Sequence, residues 1–152
     1  MTIEFREWAF EVDKQTTEKA YKAIKGSAVQ ECGCTYCQNF LLQRETIYPL
    51  EVISFFESVG IDYHKESDVS EYGELDNGLR IYMSCFHFAG KIIRGESSAF
   101  ALPMGGYQLN LTPLDERVKI GFWKSSDGKS EASLVEVELE VLLPWVLNLE
   151  TK

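Results

Sequence analysis

Val135-Glu136-Val137-Glu138-Leu139-Glu140-Val141 alternates aliphatic and acidic side chains without a break. Successive residues of an extended chain point to opposite faces, so this period of two predicts a strand. Val135, Val137, Leu139 and Val141 form its buried face, and the three glutamates read as its solvent face. Toward the N-terminus, Val118, Ile120 and Phe122 repeat the pattern, and Tyr107, Leu109 and Leu111 alternate with Gln108, Asn110 and Thr112. Leu79, Ile81 and Met83 alternate with Arg80, Tyr82 and Ser84, and this strand is read on through Cys85-Phe86-His87-Phe88. Ala89-Gly90 reads as its turn, with residues 91–94 as a return strand. Residues 95–106, rich in Gly, Ser and Pro, read as a loop, and Asp127-Gly128 sits in a polar connection. The apolar tail Leu143-Pro144-Trp145-Val146-Leu147 is expected to dock on the body.

The first half of the chain reads differently. Residues 2–12 predict one strand, with a bulge at Arg6-Glu7 to keep Ile3, Phe5, Trp8, Phe10 and Val12 in line. Asp13 caps a helix to about residue 25, with Ala20, Tyr21 and Ile24 at helical spacing and Gly26 as its stop. Residues 27–34 read as irregular or extended. Tyr36, Phe40 and Leu41 predict a helix over 35–44. Pro49 opens another, with Leu50, Ile53 and Phe56 flanked by Val52 and Phe55, and Gly60 ends it. Residues 62–77 read as an acidic loop that does not match an EF-hand, closed by a turn at Asn77-Gly78. The fold class is α+β: an antiparallel β-sheet or sandwich in the C-terminal half, with short helices around a cysteine cluster in the N-terminal half.

The 152 residues make a single domain, 1–152, and 45% hydrophobic content supplies one core without disulfides. A net charge of −9 repels phosphate backbones and anionic lipid heads, which argues against nucleic-acid and membrane partners. The N-terminal residues carry no basic segment followed by an apolar one, and no apolar run approaches bilayer-spanning length. The expectation is a cytoplasmic protein with cysteines that are reduced or metal-bound.

Cys32-Gly33-Cys34-Thr35-Tyr36-Cys37 puts three thiols in six residues. An extended Cys-x-Cys pair projects both sulfurs to one side, and Cys37, entering a helix, swings its sulfur back toward them. Three thiolates then converge on one tetrahedral cation, for which zinc is the expected ion and an iron–sulfur cluster the lesser one. The free N–H groups of the first helical turn are expected to stabilise thiolate on Cys37 and also on Cys34. The fourth ligand is expected from His87 or Cys85, which share a strand face; as a core thiol, Cys85 would instead continue the Leu79-Ile81-Met83 face. Two uses compete with a metal. Cys34 and Cys37 form a Cys-x2-Cys at a helix start, as a dithiol redox site would, and Cys37 with His64 or His87 would make a nucleophile pair. Met104-Gly105-Gly106 lacks the strand and helix that flank a phosphate loop.

The cluster with its sequel, Cys-x-Cys-x2-Cys-x-Asn-Phe, resembles one in a family of small, uncharacterised bacterial proteins. Gly60-Ile61-Asp62, Phe86-His87-Phe88-Ala89-Gly90 and Leu143-Pro144-Trp145-Val146-Leu147 are similar to that family too. The resemblance implies a bacterial source and a stand-alone domain, and it brings no activity. An aromatic often stands there in place of Cys85, whereas His87 keeps its position, which raises His87 as a ligand. The sequence therefore predicts a non-enzymatic binding protein with a structural zinc on Cys32, Cys34, Cys37 and His87 or Cys85. Its partner would be another protein. Redox chemistry at Cys34 and Cys37, and an interaction domain with reduced, metal-free cysteines, are the alternatives.

Overall fold

The chain opens with a hairpin: β1 (Thr2–Phe5) pairs antiparallel with β2 (Trp8–Val12), and Phe5 stands opposite Trp8. The expected single bulged strand is therefore two strands, with Arg6 at a φ of 53° in the link between them. A two-residue reversal and a one-residue bulge both keep the flanking apolar residues on one face, so alternation alone does not separate them. The structure, a computed structural model, describes residues 1–125 and 133–147. Asp127-Gly128 lies outside the described residues.

Four helices follow among the described residues: α1 (Lys14–Ala23), α2 (Ala28–Cys32), α3 (Thr35–Ile47) and α4 (Leu50–Val59). The Asp13 carboxylate caps α1 by accepting from the Thr16 N–H at 3.1 Å. Helix α2 stands where irregular chain was expected. A capping box starts it, with Ser27 Oγ accepting from Gln30 N at 3.2 Å and Gln30 Oε1 accepting from Ser27 N at 3.0 Å. Five residues are too few to show a helical period, and the box, with Gln in place of the commoner Glu, is its only signature.

The remaining strands are β3 (Asp68–Glu74), β4 (Arg80–Arg94), β5 (Ala99–Ala101), β6 (Tyr107–Leu109), β7 (Thr112–Pro113), β8 (Val118–Lys124) and β9 (Leu134–Leu143). One seven-stranded antiparallel sheet runs β1-β2-β4-β9-β8-β7, with β3 added on β4, while β5 and β6 make a separate ribbon. The fold is α+β. Phe40 of α3, Val52, Phe55, Phe56 and Val59 of α4 share one core with Tyr82, Phe86, Phe88, Ile120, Phe122, Val137 and Leu139 of the sheet. No helix among the described residues is long and apolar enough to cross a membrane.

The centre of the sheet departs from the expected path. Gly90 is not a turn, and β4 runs 15 residues straight through it. One edge of β4 takes two strands in succession, β3 along residues 80–85 and β2 along 90–94, while β9 covers the other edge. Helix α1 fills the gap between β3 and β2. The Tyr21 hydroxyl donates to His87 O and accepts from His87 N, each at 3.1 Å, and Thr17 Oγ1 accepts from Ala89 N at 2.9 Å. Backbone groups that lack a strand neighbour are thus satisfied by side chains.

The buried face of β4 is Tyr82, Ser84, Phe86 and Phe88. The face bearing Ile81, Met83, Cys85 and His87 is only half-buried, so Cys85 is not a core thiol. β3, at the sheet edge, was concealed by its acidic, half-exposed side chains, and the β5–β6 ribbon by its Gly-rich link. The tail docks as expected. Fully buried Asn39 accepts from Val146 N at 2.7 Å and Leu147 N at 3.2 Å, and it donates to Pro144 O at 3.2 Å.

Candidate metal centre

The three thiols lie at the joint between α2 and α3. Cys32 is the last residue of α2, Gly33 turns the chain with a φ of 68°, and Cys34 is the N-cap of α3. Only a residue that tolerates left-handed backbone can close two helices so abruptly, which is the use of Gly33. The Cys-x-Cys pair is therefore not extended; its sulfurs are brought together by a helix–glycine–helix corner.

A buried ion pair sets where that corner sits. Arg44 on α3 reaches Glu66 through Nε at 3.0 Å and Nη2 at 2.8 Å, and Nη2 also donates to Ser27 Oγ at 2.8 Å. The side chains of Arg44 and Glu66 are 7% and 0% exposed. Ser27 starts α2, so the pair fixes the helix that carries Cys32 against the helix that carries Cys34 and Cys37. The Gln38 side-chain amide donates to Gly33 O at 2.8 Å and closes the corner.

The Sγ atoms of Cys32, Cys34 and Cys37 all lie within 4.8 Å of one another. Cys32 and Cys34 are exposed, whereas Cys37 is buried. Cys34 Sγ occupies the place of a capping oxygen and accepts from Cys37 N at 3.4 Å. That hydrogen bond is the main cause that draws the Cys34 thiol below its ordinary value, with help from the Cys32 side chain. Cys37 moves the other way. Burial, followed by hydrogen bonds with its two neighbours, pushes it up to about 12. The amide expected to favour thiolate on Cys37 serves Cys34 instead, because Cys37 itself points inward from the first turn of α3.

Among the described residues the cluster ends at these three donors. Cys85 and His87 belong to a second group with Glu136, so neither stands as a fourth donor within that distance of the three thiols. Their face of β4 looks away from the core on which α3 rests. His87 Nε2 lies 3.1 Å from Glu136 Oε1, and Nδ1 lies 3.4 Å from Ser67 Oγ. His64 has its two nitrogens against Asp62 at 3.0 Å and Glu45 at 2.7 Å. Both imidazoles are thus engaged away from Cys37, which removes the nucleophile pair. Alternation alone assigns Glu136 and Glu138 to the solvent face, but the register sets them opposite His87 and Cys85 on half-buried sheet. Burial, with Glu136 and Asp68 beside it, pushes Glu138 up to about 7. The signal for this grouping lay in the shared parity of Cys85 and His87 on one strand and of Glu136 and Glu138 on another. Strand pairing, which the sequence does not print, was needed to join them.

No family model, no curated protein and no solved structure matches this chain.

Proposed function

We propose that Cys32, Cys34 and Cys37 hold one zinc ion as three thiolates at the protein surface, with the fourth position open to solvent or to an incoming donor. The protein, a bacterial cytoplasmic domain of the kind its motif resembles, then acts by binding and not by catalysis. The mutual approach of the three sulfurs within 4.8 Å carries this reading. Three soft donors at that separation need only small side-chain rotations to meet a tetrahedral ion.

The ion's role differs from the one the sequence suggested. A fourth ligand on β4 would have tied the helices to the sheet and made the ion a staple. Ligands confined to residues 32–37 close only a short loop and add little to the fold, so occupancy of the site, not its bracing effect, is its purpose. Metal analysis of protein purified without chelator tests this. Wild type should carry one more equivalent of zinc than C34S/C37S, and equal zinc in the two proteins would refute the proposal.

A second reading rests on the asymmetry between Cys34 and Cys37. An exposed, lowered thiol three residues before a buried, raised one suits a dithiol that attacks a disulfide substrate through Cys34. Cys37 would then resolve the mixed disulfide, leaving Cys34–Cys37 oxidised and the substrate's two thiols reduced. Alkylation rates against pH separate the readings. A dithiol site shows one fast thiol with or without chelator, whereas a zinc site shows three thiols protected until the metal is removed.

A further inference from the structure

We infer that Cys85, His87 and Glu136 form a second site for a zinc-like divalent cation, on the sheet face opposite the core and separate from the three-thiol centre. Cys85 and His87 are alternate residues of β4 and so project to the same side, and Glu136 stands directly opposite His87 on β9. One donor atom from each lies within 4.8 Å of the other two. The three donors are held by sheet pairing, which makes their approach a property of two rigid strands.

The histidine is set up as a ligand. Ser67 Oγ donates to Cys85 O at 3.0 Å and lies 3.4 Å from Nδ1, so it is placed to accept from Nδ1. The tautomer with its proton there leaves the Nε2 lone pair for an ion shared with Glu136. A hydrogen bond on the far nitrogen is the usual way a metal-binding imidazole is oriented. Charge points the same way. Asp68 and Glu138 flank Cys85 in register on the strands to either side, and among the described residues neither has a cationic partner within ion-pair distance. Sulfur, nitrogen and carboxylate oxygen together favour zinc over magnesium or calcium, which prefer all-oxygen sites.

A Cys–His–Glu nucleophile would use the same residue types in another arrangement. It needs the imidazole between thiol and carboxylate, one nitrogen for each. Here Glu136 faces Nε2 and Ser67 faces Nδ1, leaving no nitrogen for Cys85, and the donors converge instead of forming a relay. On binding, the Cys85 thiol gives its proton to solvent and its sulfur bonds the ion.

The chain has four cysteines, so C32S/C34S/C37S leaves Cys85 as its sole thiol. Titrated with cobalt(II), this variant should bind one equivalent with a thiolate-to-cobalt absorption band that zinc displaces. Adding C85S should abolish the band, and adding H87A or E136A should weaken binding about tenfold or more. No cobalt binding by the folded triple variant, or a band untouched by H87A, overturns the site. Should circular dichroism show the triple variant unfolded, zinc content of wild type against C85S decides: one equivalent lost supports the site, and none lost overturns it. Because the triple variant lacks the three-thiol centre, failure of that centre leaves this result standing.

Discussion

Asn39 satisfies more of the backbone than any other single side chain on α3. Its amide accepts from Val146 N and Leu147 N and donates to Pro144 O and the Tyr82 hydroxyl. Asn39→Ala removes the acceptor of the partly buried Val146 and Leu147 N–H groups, while Pro144 O keeps the Gln43 amide and the Tyr82 hydroxyl keeps Tyr36 O. It should therefore cost about 1–3 kcal/mol. Urea unfolding measures it; a loss below about 0.5 kcal/mol would mean the tail does not depend on this residue. His64 makes a pH-dependent contribution. Burial opposes its charge, but the hydrogen bonds it donates to Asp62 and Glu45 outweigh that and raise its pKa. A raised histidine stabilises the fold fully below its unfolded value near ~6.5 and ceases to do so as pH rises through the folded value. Its side chain is 45% exposed, so His64→Gln should cost no more than about 1 kcal/mol at pH 5.5 and nothing at pH 9. Urea midpoints at the two pH values test this, and an equal effect at both would contradict it.

At the scale of elements, the decisive feature is the length of β4. A Cβ on Gly90, whose φ is 154°, would collide with the Glu11 carbonyl oxygen on β2, so the strand passes its neighbour only because this residue has no side chain. Gly90→Ala should destabilise by about 1–3 kcal/mol through overpacking and should loosen β2 first. Hydrogen exchange would show lost protection at residues 9–12 ahead of β8 and β9; uniform loss would contradict the local account. The same glycine explains why the sequence misled. Ala89-Gly90 is written like a turn, and nothing local distinguishes a reversal from a close crossing of strands. Alternation in β8 and β9 was legible because Val118, Ile120 and Phe122 on one, and Val135, Val137, Leu139 and Val141 on the other, make unbroken apolar runs on one face. The parity of β4 was not, since Leu79, Ile81 and Met83 look more hydrophobic than the Tyr82, Ser84, Phe86 face that is buried. Tyr48 donating to Ser84 Oγ at 2.9 Å shows how that polar residue is accommodated in the core.

For the whole molecule, the two candidate sites should couple to folding to different extents. Residues 32–37 stay neighbours in any conformation, so the unfolded chain keeps much of its affinity and zinc should stabilise C85S by less than about 1 kcal/mol. Cys85, His87 and Glu136 meet only when β4 and β9 pair, so zinc at 100 times its Kd should stabilise C32S/C34S/C37S by close to the full value of about 2.7 kcal/mol. Urea midpoints with zinc and with chelator measure both, and equal shifts would show that the two sets of donors do not differ in this way. This contrast also marks what could be read beforehand. The three-thiol cluster was visible because it is contiguous, and its expected fourth ligand failed because Cys85 and His87 face away from it across the sheet. Legibility followed sequence distance.

The docked tail has an experimental use. Trp145 meets Tyr36 edge-on at 5.9 Å, with the Arg80 guanidinium 5.1 Å from the indole, and Tyr36 sits between Cys34 and Cys37 on the first turn of α3. An ion arriving at the thiols is expected to shift the electric field felt by that indole through Tyr36. Zinc titration should therefore change the emission of wild type but not of W145F, in which Trp8 and Trp123 supply a constant background.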